Sequence, residues 1–196
     1  MNRSELRGEL GKRLDQLATT LSSERFLSRK GLGNEIAFYI FDYDPACEPL
    51  VDAYLPSLRE ELVALGLEVL ELNLFTLVTE LLIDRGFLEK AFALEERKGS
   101  AALAKGIGRI VRTENLLEQI AAHLVQPHDL VLLTGVGAAW PLVRSHTVLN
   151  NLHAFVGEVP LVMFYPGTYS GQGLRLFEIM TDDNYYRAFP LLPKAA

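Results

Sequence analysis

VLLTGVGAAWPLVRSH, Val131 to His146, passes from an apolar run through Gly135 and Gly137 into a helix-like pattern. A strand, a tight turn and a helix in that order are the building unit of a parallel α/β sheet. Three other runs share the character of its first part: IAFYIF from Ile36, LEVLEL from Leu67 and PLVMFY from Pro160 are short, apolar and rich in branched or aromatic residues. Such runs suit strands buried on both faces. Helical patterns separate them, with Leu55, Leu58, Leu62 and Leu65 after the first run and LFTLVTELLIDRG to NLLEQIAAHL after the second. The prediction is an α/β fold: a three-layer, mainly parallel sheet with helices on both faces, joined by right-handed crossovers. LRLFEIM, from Leu174 to Met180, adds a further strand or ribbon.

Residues 1–24 read as an N-terminal helix and 25–196 as a single α/β domain. In the helix, Leu6, Leu10, Leu14, Leu17 and Leu21 form a narrow apolar stripe, which either covers this domain or docks on a partner. In an open parallel sheet, ligands collect outside the carboxyl ends of the strands. Those ends carry Asp42 and Asp44, Asn73, then Thr134 with Gly135 and Gly137, and Tyr165 with Gly167 and Tyr169.

Two nucleotide motifs are absent. A dinucleotide fingerprint counted from Gly135 has Trp140 where its third glycine must let a helix lie close to a strand, and the next strand ends in FYPG without a ribose-binding acid. No strand is followed by the GxxxxGK[ST] loop whose amides wrap phosphates. A third pattern is sharper. AFYIFDYDPAC ends a strand in DxD and resembles the first motif of haloacid-dehalogenase-like phosphotransferases, with Asp42 as nucleophile, Asp44 handling the leaving-group proton, and Asp182 and Asp183 as the downstream magnesium pair. That family continues DxDGT, whereas Pro45 and Ala46 follow here; acids before a proline more often cap a helix.

The histidines form no metal set, since His146 and His153 lie seven apart on one helix, about 10 Å from each other. No metal or cofactor is predicted. Pro141 stands as an early helical residue, and Arg144 follows near the helix start, where a cation opposes the helix dipole unless an anion compensates. Its partner is either Asp42 or Asp44 across adjacent strand ends or a ligand. Ser145, His146 and Asn150 continue this polar side.

A net charge of -6 is the opposite of a nucleic-acid-binding footprint, so no autonomous nucleic-acid binding is expected. The charged start MNRSELRGEL has no apolar signal core, and no run reaches the about 18 to 20 apolar residues that span a bilayer. With a lone Cys47, these features predict a cytoplasmic protein that makes no use of membranes. Near the end, NYYRAF interleaves Tyr185, Tyr186, Arg187 and Phe189, residue types enriched at binding hot spots; the segment either docks on a partner or folds onto its own core.

Taken as whole phrases, FLSRKGLGNEIAFYIFDYDP, LEVLELNLF, LTGVGAAWPLVRSHTVLNNL, PLVMFYPGTYSGQGLRLF and DDNYYRAF resemble the BrxB family of BREX phage-defence systems, from about Phe26 to Phe189. The resemblance implies a cytoplasmic component of a multi-protein antiviral system that works with a methyltransferase, a large ATPase and the alkaline-phosphatase-like protein PglZ. It implies a non-catalytic adaptor with PglZ as the direct partner and other BREX components as further ones, and a P-loop-type sheet without its phosphate loop as the fold analogy. The alternatives are a magnesium-dependent phosphotransferase using Asp42 and Asp44, and a nucleotide sensor beside Gly135 and Gly137.

Overall fold

The computed structural model of the chain describes residues 3–28, 37–171, 173–182 and 188–192. The four apolar runs become parallel strands: β1 (Phe38–Tyr43), β2 (Val69–Asn73), β3 (Leu130–Thr134) and β4 (Leu161–Tyr169). β4 continues antiparallel into a ribbon made of β5 (Leu174–Leu176) and β6 (Met180–Asp182), which is where LRLFEIM lies. A short β7 (Phe189–Pro190) pairs in parallel with β1, so the sheet reads β2-β3-β4-β1-β7. Counting only the parallel strands, the order is 5-1-4-3-2. The expected fold class is therefore the observed one.

Neighbouring residues of one strand serve different cores, because successive side chains leave a strand on opposite faces. On one face Leu130, Leu132, Val162, Phe164 and Phe41 pack under α4 (Glu48–Ala64) through Val51, Leu55, Leu58 and Leu62. On the other, Val131, Leu133, Leu161, Met163 and Ile40 pack under α5 (Leu74–Asp84), α6 (Leu88–Lys98), α7 (Ser100–Ile107), α8 (Thr113–His123), α9 (Val136–Ala139) and α10 (Ser145–Val156). Each fully buried Leu, Val or Ile contributes about 1.5–3 kcal/mol, and β3 buries every one of its residues. That continuous burial is why its sequence shows no polar alternation.

The N-terminal segment differs from a single helix. It breaks into α1 (Arg3–Leu14), α2 (Leu17–Leu21) and α3 (Glu24–Leu27), with Ser23 capping α3 by accepting a hydrogen bond from the Phe26 N–H at 3.3 Å. The breaks let Leu10, Leu14, Leu17 and Leu21 all reach the core beneath α4. Of the two roles open to the leucine stripe, it takes that of covering its own domain. Pro141 also departs from its reading: it lies in the connection between α9 and α10, and the helix begins only at Ser145.

Candidate functional site

The carboxyl end of β1 is held from an unexpected direction. α1 crosses it, and Arg13 donates from Nη1 to the Asp42 carbonyl at 2.7 Å and from Nη2 to Asp42 Oδ1 at 3.3 Å. The same Nη2 donates to the Leu192 carbonyl at 3.1 Å, and the guanidinium stands 4.6 Å from the Phe41 ring centre. The other carboxylate oxygen of Asp42 accepts the Tyr169 N–H at 3.0 Å. Both residues of the pair are buried, at 7% exposure each. Asp42 thus ties α1, β1, β4 and the C-terminal segment together, and sits inside the strand, beside Tyr165 in register, rather than beyond its end.

Asp44 does what an acid before proline commonly does: its Oδ1 accepts the Ala46 N–H at 2.8 Å and caps the 3₁₀ turn Pro45–Cys47. Arg144, expected against one of these two acids, is exposed and lies instead near Val111, Thr113 and Leu116, at the start of α8. Arg13 reaches Asp42 first because α1 lies across β1. Ser145 and His146 are the first two residues of α10, and Asn150 is exposed further along it.

The glycines and tyrosines do packing work. Gly135 has φ +67°, and a Cβ there would meet Asn73 Oδ1 at 2.3 Å. That same oxygen accepts the N–H groups of Phe75 and Thr76 and caps α5. A Cβ on Gly137 would press on Pro166 and Phe177, and one on Gly167 would strike the Arg175 carbonyl across the hairpin. Tyr165 is buried; the Tyr169 hydroxyl donates to the Ala188 carbonyl at 2.6 Å. Asp182 ends β6, whereas Asp183, Tyr185, Tyr186 and Arg187 lie outside the described residues.

The cavity these elements leave keeps part of the strand-end cluster, since Asn73, Gly135 and Gly137 line it, but Asp42 and Asp44 do not. A cleft of about 530 Å³ opens where β2 and β3 end, walled by α4, α5, α9 and the β5–β6 turn. Its acids are Glu48 and Asp52 from α4 and Glu71 from β2, and its apolar surfaces include Leu55, Phe75 and Phe177. Phe177 and Glu178 both have positive φ, 52° and 60°, a conformation that costs a bulky residue strain. The turn holds Phe177 edge-on to Trp140, with ring centres 6.1 Å apart. Among the described residues, Glu48, Asp52 and Glu71 pair with no lysine or arginine.

Two of these carboxylates, Glu48 and Asp52, hold protons more tightly than free ones. Burial raises Glu48 most, the Tyr43 hydroxyl that donates to its Oε2 at 2.9 Å works the other way, and Asp52 adds to the rise. Asp52 is raised by burial first and then by Glu71. Burial, reinforced by Glu48, pushes Tyr43 far above its ordinary value. Glu71 accepts from the Thr134 hydroxyl at 2.7 Å. DPAC follows β1 without a glycine-rich loop, and the nearby walls are acidic. The cleft therefore favours cations and disfavours phosphate.

Sequence reasoning overlooked Arg13, Glu48, Asp52 and Glu71. The signals available were a carboxylate, Glu71, in the middle of a strand and the i, i+4 spacing of Glu48 and Asp52.

A family model described as BREX protein BrxB matches residues 70–191. A protein of Bacillus cereus (strain H3081.97), called BREX protein BrxB, is 44% identical over 189 residues, which are 94% of this chain and 98% of that protein. One of Escherichia coli O9:H4 (strain HS), with the same name, is 38% identical over 182 residues, 92% of this chain and 90% of its own length. No solved structure gives a significant match.

Proposed function

The chain belongs to the BrxB family of BREX proteins, and from that premise we propose that this BREX component is a non-catalytic adaptor of the phage-defence complex that docks on its alkaline-phosphatase-like PglZ subunit in the cytoplasm. The observation that carries the non-catalytic part is Asp42. A nucleophilic aspartate needs a free carboxylate oxygen, but one oxygen of Asp42 faces Arg13 and the other accepts the Tyr169 N–H. The other strand-end groups are engaged in the same way, Asp44 and Asn73 as caps and Gly135 and Gly137 in close contacts.

The same geometry weighs against a nucleotide sensor, because a phosphate beside Gly135 and Gly137 would face Glu48, Asp52 and Glu71. The buried, unbridged Cys47 fits a reducing compartment. Among the described residues, no helix is long and apolar enough to cross a membrane.

The test is copurification. The tagged chain, expressed with its native operon, is expected to bring down the PglZ subunit in a fixed ratio; a chain that associates with no BREX component would refute the adaptor reading. Magnesium-dependent cleavage of a generic phosphomonoester that is lost in Asp42→Asn would refute its non-catalytic part.

A further inference from the structure

β2 is an edge strand: among the described residues it pairs only with β3. The side it leaves open follows from the ladder. Val69 stands opposite Leu130, and the Leu130 N–H reaches back to the Glu68 carbonyl at 3.4 Å. In a parallel pair with this register, residues 68, 70 and 72 turn their backbone groups toward β3, and Val69 and Glu71 turn theirs outward. These outward N–H and C=O groups form a ready template for another strand. Native edges are commonly shielded by a covering helix or by prolines, and β2 has neither proline nor full burial, since four of its five residues are partly exposed.

A groove lies at the carboxyl-terminal part of this edge, beside Glu71, Leu72 and Asn73. A cavity of about 260 Å³ lies beside β2 between Arg59 of α4 and Glu80 and His123 of α5 and α8. It adjoins the acidic cleft, sharing Glu71, Asn73 and Thr76 with it. A chain laid along β2 would therefore lead directly to the three carboxylates. Beside them Phe75 is 48% exposed, an aromatic face on which a cationic head or an aliphatic stem can rest.

We propose that the outer edge of β2 receives an extended segment of a partner protein as an added strand, and that a lysine or arginine of this segment seats among Glu48, Asp52 and Glu71. Main-chain bonds to Val69 and Glu71 supply the affinity, and the acidic cleft supplies the choice of side chain. Charge argues for a basic partner over a second copy of this chain, because a copy carries the same cleft and the same net charge of -6. The inference rests on the adaptor reading and adds to it the docking edge and the chemistry of what docks.

Two substitutions at exposed or outward-facing positions test it on the full chain bound to the operon partner that copurifies with it. Val69→Pro removes an outward N–H and leaves the ladder to β3 intact, as prolines on edge strands do. Asp52→Lys reverses one cleft charge on an exposed helix face. Asp52→Lys is expected to melt close to the wild type, and Val69→Pro, which gives up packing of the Val69 side chain on the core beneath α4, at a lower temperature but folded at that of the assay. Each is expected to weaken partner binding by about tenfold or more, the loss expected for a main-chain hydrogen bond or a charge contact at an interface. In the wild-type complex the Val69 and Glu71 amides are expected to exchange with solvent at least about tenfold more slowly than in the free chain. Binding by both variants within twofold of wild type, with no slowing at these amides, would overturn the docking edge and leave the adaptor reading standing. Protection of the same amides in a homodimer without any partner would overturn the basic occupant. Failure of the wild type to bind any operon partner would overturn the adaptor reading and this inference together.

Discussion

Replacing Arg13 with alanine should be among the most damaging single changes in the N-terminal region. The side chain makes three hydrogen bonds, to the Asp42 carbonyl, Asp42 Oδ1 and the Leu192 carbonyl, and covers the Phe41 ring. Truncation takes the guanidinium from Asp42, a carboxylate 7% exposed in the intact chain, and leaves it the Tyr169 N–H among its partners. Breaking a buried pair from one side costs about 3–5 kcal/mol. For a chain of this length that corresponds to a fall in Tm of about 6–20 °C. Asp42→Asn keeps the backbone carbonyl for Arg13 and an oxygen for Tyr169, so a smaller loss of about 1–3 kcal/mol is expected. The combined Arg13→Ala and Asp42→Asn variant should lose less than the sum of the single losses, by at least about 1 kcal/mol, because the second change removes the charge that the first exposes. Arg7→Ala, on the exposed face of α1, is the control and should stay within about 0.5 kcal/mol of wild type. Urea and thermal unfolding measure all four. An Arg13→Ala loss of under about 1 kcal/mol, the size for a solvent-exposed pair, would refute the staple.

Gly135→Ala places a Cβ 2.3 Å from Asn73 Oδ1 at a φ of +67°, so it should cost about 2–4 kcal/mol through left-handed strain and loss of the α5 cap; Gly66→Ala, at φ +89° in open space, should cost about 1–2 by the same unfolding assay. Glu48 and Asp52 are raised in the folded state, so the folded chain binds more protons than the unfolded one from their ordinary range upward, and their contribution to stability falls as pH rises through that window. Accordingly, Glu48→Gln with Asp52→Asn should lose less stability than wild type between about pH 4 and pH 7, measured by urea midpoints; an equal or steeper decline would contradict the cleft electrostatics. Cys47 is 3% exposed, so an aromatic disulfide reagent should label it slowly in buffer and at once in urea; immediate labelling of the native chain would place the thiol at the surface.

The layers were legible in the chain because each rests on local pattern. Strands formed within the runs IAFYIF, LEVLEL, VLLTG and PLVMFY, the intervening leucines became their covering helices, and the resemblance of whole phrases pointed to the family to which the chain belongs. The candidate site was less legible. Asp42 and Gly135 drew attention as strand-end residues, and both are held in packing contacts whose other members, Arg13 and Asn73, are far away in sequence. The acidic cleft joins α4 to β2: Glu48 and Asp52, four apart, share a helix face, but nothing in the sequence announces that Glu71 stands beside them.

By itself, then, the sequence determined which segments are buried, which form strands and helices, and the family. Each of those depends on how a residue and its near neighbours partition between water and an apolar interior. Only the tertiary structure decided that Arg13 of α1 reaches the end of β1, that β2 is an edge among the described residues, and that three carboxylates gather beside it. Those are distances between residues remote in the chain, fixed by strand order and by how helices settle on the sheet, and electrostatic and hydrogen-bonding chemistry depends on those distances rather than on sequence spacing.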